Sequence, residues 1–344
     1  MLTTNNEALL SPPADRGSVS RQLLIDSKSY ATEIRWRSWW HLGSTLAVLA
    51  ALIATVAWFP SIPLRAACSV VIALTLVRMF ILYHDFLHQS IFKDSWVATF
   101  ILHVYGNLML TPPGVWKRSH DHHHRHNSKI FGASIGSFPI MTTTTYLSST
   151  SSQQLEYRIA RSPWVIVFGY VTVFLFGMCV HPLLCDFRKN LSALGAIGLH
   201  FGLSGLLIML GGWSFAAFAF LIPTWIAMLS GAYLFYIQHN FPEAKIADQQ
   251  DWAYVDAALS ASSYLETGMV MRWFTGNIGY HHVHHLNAKI PFYRLPEAMK
   301  GLVGLQNPGR TSLSIRDISG CLRLKLWDSD LRQFVTFAAA TAAK

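Results

Sequence analysis

Four stretches of this chain stay apolar for about the length a helix needs to cross a bilayer, at about 42–60, 65–83, 191–211 and 213–236. A hydrocarbon core about 30 Å thick takes roughly 20 residues of helix, so each stretch predicts one spanning helix. A short turn holding Pro60 and Pro63 joins the first two, and Gly211, Gly212 and Trp213 join the last two. Each pair therefore predicts a helical hairpin. Two weaker runs, at about 96–110 and 164–181, lie between the hairpins. The first 40 residues are polar. From about 240 onward the chain is again polar and broken by prolines, which predicts a cap outside the membrane.

Composition agrees with this pattern. Only 13% of the 344 residues are charged and 52% are hydrophobic, with a mean hydropathy of +0.31; a soluble domain carries roughly 25% charged residues. The first apolar run starts too late and is too long for a cleaved signal peptide. A net charge of +9 could suggest nucleic acid, but the basic residues flank the apolar runs instead of forming one tract. The positive-inside rule accounts for them, and a basic cytosolic face also suits anionic lipid or an acidic electron donor. No nucleic-acid partner is expected. Cys68, Cys179, Cys185 and Cys321 show no C-x-x-C spacing, so neither a disulfide framework nor a zinc site is expected.

The chemistry lies in the histidines. Twelve of the sixteen fall in four short stretches: His84 to His88, His120 to His126, His239, and His281 to His285. His84 and His88 are four apart and share a helix face. His120, His123 and His124 share one, and His281, His284 and His285 repeat that spacing. With His239, nine imidazoles can converge, while His122, His126 and His282 point elsewhere. Imidazole suits iron, copper, zinc and nickel. Nine nitrogen ligands without cysteine are too many for one ion, so a dinuclear centre is implied. Asp85 and Asp121 can accept from ring N–H groups and so fix tautomers. The isolated His41, His103, His181 and His200 are read as structural, and a change at His41 is expected to be nearly silent.

Parity then sets the topology. For the His84 and His120 clusters to share a side, 96–110 cannot cross, and its length and its His103 and Asn107 suit an interfacial segment. For His239 to join them, 164–181 must also stay at the interface; Arg158 and Arg161 flank it on one side, Arg188 and Lys189 on the other. The expected fold is an all-α integral membrane protein. It has four transmembrane helices, one or two interfacial helices and a cytosolic histidine-rich cap. Both termini and the metal site lie on the cytosolic side.

These residues resemble the membrane fatty acid desaturases. The first box is His84-Asp-Phe-Leu-His88, the second Ser119-His120-Asp-His-His-His124, and the third Asn277-Ile-Gly-Tyr-His281-His-Val-His-His285-Leu. The run Asn287-Ala-Lys-Ile-Pro291-Phe-Tyr-Arg-Leu resembles its counterpart in acyl-lipid Δ12 (omega-6) members. The resemblance covers roughly 40–300. It implies a membrane desaturase domain over 41–305, between a polar cytosolic segment at 1–40 and a cytosolic tail at 306–344. It also implies two iron ions held by the nine histidines, O2 as co-substrate, and a cis double bond placed in a fatty acyl chain of a membrane lipid. Histidine at 281, where front-end desaturases have glutamine, argues against that subgroup. The sequence His181-Pro-Leu-Leu lacks the glycines of a fused cytochrome b5 haem motif, so electrons are expected in trans from ferredoxin or cytochrome b5. Some acyl-CoA members carry an asparagine where this chain has Phe235; Gln238 and Asn240 are candidate replacements.

Hydroxylases, ketolases, acetylenases and conjugases share this scaffold and are the nearest alternatives. A non-catalytic metal transporter or sensor is the rival from another class. It would need ionisable residues inside the spans, and these hold little beyond Arg78 and His200.

Overall fold

Apolar side chains leave a helix no polar partner outside itself, so each long run closes its own backbone hydrogen bonds. The computed structural model describes residues 13–130, 137–247 and 251–342. The chain begins with α1 (Pro13–Ser27), α2 (Arg35–Trp58), α3 (Ile62–Leu87), α4 (Trp96–Leu108) and α5 (Pro113–His126). Short helices α6 (Thr143–Ser148), α7 (Ser151–Ala160) and α8 (Pro163–Val167) lead into a π-helical stretch, Tyr170–Val180, and α9 (His181–Cys185). Next come α10 (Leu191–Ala216), a π-helical turn at Ala217–Leu221, and α11 (Ile222–Ile237). The cap holds α12 (Tyr254–Ser260), α13 (Met269–Phe274), α14 (His281–Leu286), α15 (Leu295–Gly301), α16 (Ile315–Arg323) and α17 (Phe337–Ala342). Two small sheets complete it, β1 (Tyr264–Glu266) parallel to β2 (Arg310–Ser312), and β3 (Leu326–Asp328) antiparallel to β4 (Gln333–Val335).

Among the described residues, three helical runs are long and apolar enough to cross a membrane: α2, α3 and the 47 residues Leu191–Ile237. The third is broken near its middle. Gly212 has φ 77° and ψ 169°, a conformation essentially reserved for glycine, so the run divides into two arms where the sequence predicts a hairpin. That break lies beside the α2–α3 turn, because Arg65 donates to Ser214 Oγ at 2.7 Å. The 13 residues of α4 reach only about 20 Å, too short to cross. The 164–181 run breaks at Phe168 and continues from Tyr170 as one apolar helix to Cys185, π-helical up to Val180.

Inside the spans, polar side chains are satisfied locally. Thr45, Thr75, Ser204 and Ser230 each donate to the carbonyl four residues earlier, at 2.6 to 2.8 Å. His200 bridges the Leu108 carbonyl (2.6 Å) and the Tyr170 hydroxyl (2.8 Å), and so pins α10 to α4 and to the π-helical stretch. His200 is structural, as expected.

Two segments carry contacts that the sequence does not announce. His41 is not idle. Its Nδ1 accepts from the Arg78 guanidinium at 2.8 Å, while Arg78 Nε donates to Thr45 Oγ1 at 3.0 Å and NH1 donates to the Trp273 carbonyl. Arg78 is 2% exposed and, among the described residues, has no carboxylate partner. An isolated histidine in an apolar helix gives no hint of a guanidinium one hairpin away. Residues 306–342, expected as a cytosolic tail, pack against the rest of the chain. β2 pairs with β1, Cys321, Trp327 and Phe334 pack on Ile237 and Phe241, and Arg161 donates both to Asn240 Oδ1 and to the Leu324 carbonyl. Apolar positions only three or four residues long carry that packing, too few to stand out in a polar stretch.

His41→Ala leaves one N–H of a buried guanidinium unpaired, which costs about 1–3 kcal/mol. The expected result is a lower apparent melting temperature in detergent. A melting curve identical to that of the parent protein returns His41 to a silent role.

Candidate metal centre

The site forms where helix ends meet. His84 lies in the last turn of α3 and His88 caps it, its N–H bonded to the His84 carbonyl at 3.0 Å. Pro113 starts α5, whose inner face carries Trp116, His120, His123 and His124, all buried. His239 lies just beyond α11, and α14 consists almost entirely of the third cluster.

All nine histidines singled out in the sequence come together, in two groups. His84, His88, His120, His124 and His284 form one; His123, His239, His281 and His285 form the other. Within each, the candidate ligand atoms lie within 4.8 Å of one another. The division follows the helix wheel, on which successive residues turn about 100°. Residues four apart differ by only about 40°, so His120 and His124 stay together, as do His281 and His285. The residue at the third position points aside, so His123 and His284 each enter the opposite group.

Protons alone cannot satisfy these contacts. In the second group the Nε2 atoms close a ring: His239 to His123 at 3.0 Å, His123 to His285 at 3.3 Å, His285 to His281 at 3.1 Å, and His281 to His239 at 2.9 Å. A neutral ring nitrogen offers either one N–H or one lone pair. Four such atoms make at most two simple hydrogen bonds, which leaves two close contacts unexplained. A square with these edges has its centre about 2.2 Å from each corner, close to the roughly 2.0–2.1 Å of a metal–imidazole bond. In the first group, His84, His120, His124 and His284 form a row at 3.0, 3.1 and 3.1 Å, and His88 Nε2 is buried with no partner among the described residues. The donor sets fit cations.

Electrostatics agree. Burial first, then neighbouring imidazoles, pushes His88, His120, His123, His124, His281, His284 and His285 well below the usual histidine range. Burial lowers His239 to about 4. All of these are neutral at pH 7, as ligation requires.

The outer contacts are fewer. Asp85, fully buried, accepts from His84 Nδ1 at 3.0 Å and from the Phe292 N–H at 2.6 Å, which turns His84 Nε2 toward the first group. His239 Nδ1 donates to the Ala261 carbonyl at 2.9 Å. Asp121 does not take the expected position. It lies at the outer edge of α5, one turn from Lys117, and pairs with that ammonium at 2.7 Å. His122 and His126 stack on each other, and His282 bonds the Leu305 carbonyl. Asn240 is held by Arg161 and the Cys321 carbonyl, and Gln238 by the Ile278 carbonyl. Phe235 packs its ring 4.9 Å from that of His123.

Two contributors were not foreseen. Trp116 stacks on His120 with ring centres 4.3 Å apart; its position four residues earlier on the same face was the available signal. The run after the third box wraps the first group. Lys289 Nζ donates to the His88 carbonyl at 2.7 Å and Asn277 holds the Phe292 carbonyl at 3.2 Å. Nothing in its spacing marks it as a strap.

An apolar cavity of about 400 Å³ leads to both groups, touching His84, His120 and His281. Phe80 and Ile81 from α3, Phe174 from the π-helical stretch, and Met228 and Gly231 from α11 line it. Along α11 the lining runs from Ala227 to Gln238, a depth of about 17 Å. The arrangement suits a metal-dependent membrane enzyme that receives a long apolar substrate.

Comparison with known proteins narrows this class. The chain matches the fatty acid desaturase family over residues 60–310. It is 33% identical over 287 residues to a fatty acid desaturase of Bacillus subtilis, covering 80% of this chain and 78% of that one. It is 25% identical over 227 residues to an sn-1 oleoyl-lipid 12-desaturase of Synechocystis, covering 64% and 63%. With an sn-1 acyl-lipid omega-3 desaturase (ferredoxin) of Nostoc it shares 26% over 242 residues, covering 66% and 64%. The chain belongs to the fatty acid desaturase family and is an oxidoreductase of fatty acid metabolism.

Depressed histidine pKa values fix the pH response. Above about 6.5 neither folded nor unfolded imidazoles bind protons. As pH falls from 6.5 toward 4, the unfolded chain binds protons that His239 and its neighbours refuse, so stability falls; ligands also lose metal to protons. Metal retained after gel filtration is expected to fall steeply between pH 7 and pH 5. Full retention at pH 5 contradicts this account.

Proposed function

We propose that the nine histidines hold two iron ions and that the enzyme uses O2 to place a cis double bond in a fatty acyl chain of a membrane lipid, at a Δ12-like position. The observation that carries this reading is the sorting of nine imidazoles, eight buried and that of His239 half-buried, into groups of five and four where one apolar cavity ends. Bound iron would supply the activation of O2 that removing hydrogen from an unactivated C–H bond requires. Every other requirement falls on the chain. Val77, Phe80, Ile81 and Phe174 exclude water along the acyl path. Asp85 and the Ala261 carbonyl hold the tautomers of His84 and His239. His123, His239, His281 and His285 would hold one ion, and His84, His88, His120, His124 and His284 the other.

Reduction of O2 to two waters takes four electrons, and making one alkene supplies two. The other two come one at a time from a donor in trans, ferredoxin or cytochrome b5, and the two protons come from solvent. The Nostoc relative carries ferredoxin in its name, and two or more relatives are named as oleoyl-lipid 12-desaturases; those names support the donor and the position.

The topology that suits this chemistry has four crossings, with the metal site and both termini on the cytosolic side. Support comes from the Gly212 break beside the α2–α3 turn, the shortness of α4, and exposed tryptophans at both helix ends. These are Trp36 and Trp40 at one end, and Trp58 and Trp213 at the other.

Expression in a host that makes oleoyl lipids but no dienes is expected to yield a Δ12 diene, from protein carrying about two irons per chain. Hydroxy or keto products without an alkene would turn the reading to the sister chemistries. Zinc alone, with no O2 uptake, would revive the transporter. Alanine at His120, His124 or His285 should abolish product while membrane-bound protein persists. Turnover in any of the three breaks the ligand assignment.

A further inference from the structure

The cap carries an exposed apolar edge that the metal site does not use. β1 and β2 run parallel with Glu266 opposite Ser312, so the chain leaves both strands at the same end. One exit leads into α13 and the other into Leu313–Ile315. There Met269 is 81% exposed, Val270 70% and Ile315 85%, with Leu313 also exposed. Large apolar groups bared side by side mark a binding surface.

The depth of this edge identifies its occupant. Arg78 donates to the Trp273 carbonyl and lies 4.1 Å over the Trp273 ring, which fixes α13 to α3. The backbone at Gly276 abuts Ile81, where an added Cβ would come within 2.8 Å. Arg78 stands six residues before His84 in α3, about 9 Å along the helix toward its membrane centre. From α2, His41 and Thr45 hold the same guanidinium. Trp36 and Trp40 precede His41 in α2 and are exposed, as the tryptophans of an aromatic belt at a membrane surface are. So α13 hangs at belt depth, continuous with the lipid-facing surface of the spans. Arg272 reaches back to the Tyr280 hydroxyl at 3.4 Å and Arg316 is exposed beside Ile315, an arrangement that lets both cations stay at the headgroups.

We propose that Met269, Val270, Leu313 and Ile315 insert into the bilayer interface, with the acyl chains of membrane lipids as their partner. The cap is then not wholly in water. It is seated in lipid directly behind Ile81 and Ile278, which wall the substrate cavity, so a chain leaving the bilayer has a short path to it. The inference rests on reading α2 and α3 as spanning helices.

Single cysteines at Val270 and Ile315, in a Cys185→Ser background, test it in lipid nanodiscs holding one chain each. Asp330→Cys in the exposed β3–β4 turn reports water, and Ile53→Cys in α2 reports lipid. Metal content checks the fold of each variant. A charged maleimide should react with Val270→Cys and Ile315→Cys at least about ten-fold more slowly than with Asp330→Cys, given the cost of bringing charge into the apolar layer. Rates equal to that of Asp330→Cys, with Ile53→Cys still shielded, overturn the proposal. A reactive Ile53→Cys instead overturns the spanning reading beneath it. With one chain per disc and no added protein, shielding by a second copy or a protein partner is excluded, so protection seen only in crowded discs also overturns it.

Discussion

Imidazole nitrogens held about 3 Å apart repel through their lone pairs unless a proton or a cation lies between them, and a neutral ring has one proton to share. This constraint governs the rest of the molecule. Ligation needs the nitrogens unprotonated, and for His88, His120, His123, His124, His239, His281, His284 and His285 burial makes the charge too costly. They must also be kept facing one another, which is unfavourable without a cation. Packing therefore has to supply the restraint. Trp116 on His120, Asp85 on His84 and the Ala261 carbonyl on His239 each remove one ring's freedom to turn away.

The position of the site follows from what it must reach. The proposed chemistry takes protons from water and electrons from a donor in the aqueous phase, and the apolar cavity runs along the helices proposed to lie in lipid. A centre deep in the bilayer would lose the first, and one well above it would lose the second. In the proposed topology helix ends at the interface meet both needs, and helix ends also leave backbone groups unpaired, so polar side chains find partners there. Arg78 takes the Trp273 carbonyl, and Lys289 the His88 carbonyl. The same boundary is expensive for a cation, so Arg78 is accompanied by His41, Thr45 and the rings of Trp273 and Phe292.

Much of this was legible in the chain because two periodicities carried it. Apolar runs near 20 residues mark the long helices, and Gly212 marks the break between the last two. Histidines at i, i+3 and i+4 mark shared faces, and all nine lie together in the fold. Their sorting was also implicit, since the residue at i+3 points away from the pair at i and i+4, but the shared face drew attention from that divergence. Other features had no local signature. Asp121 is an aspartate like Asp85 and as close to a histidine in sequence, yet Lys117 one turn away draws it outward. The Arg78–His41 link joins two helices, and the strap at 287–294 joins the cap to α3. Contacts between segments far apart in sequence leave no periodic trace.

Those distant contacts explain why membrane helices and cap behave as one body. The first histidine group takes His84 from a long membrane helix and His284 from the cap; the second takes His239 from the end of α11 and His281 from the same cap helix. Neither half holds a complete group. The bonds that fasten the halves are therefore part of the site's support, although none touches a ligand ring on its metal-facing side. Asp85 grips the Phe292 N–H, and Asn240, next to His239, is clamped between Arg161 and the Cys321 carbonyl. This places the segment after 306, which pattern alone reads as a tail, among the elements that hold His239 in place. Its short apolar positions matter to the centre because they determine where one of nine imidazoles points.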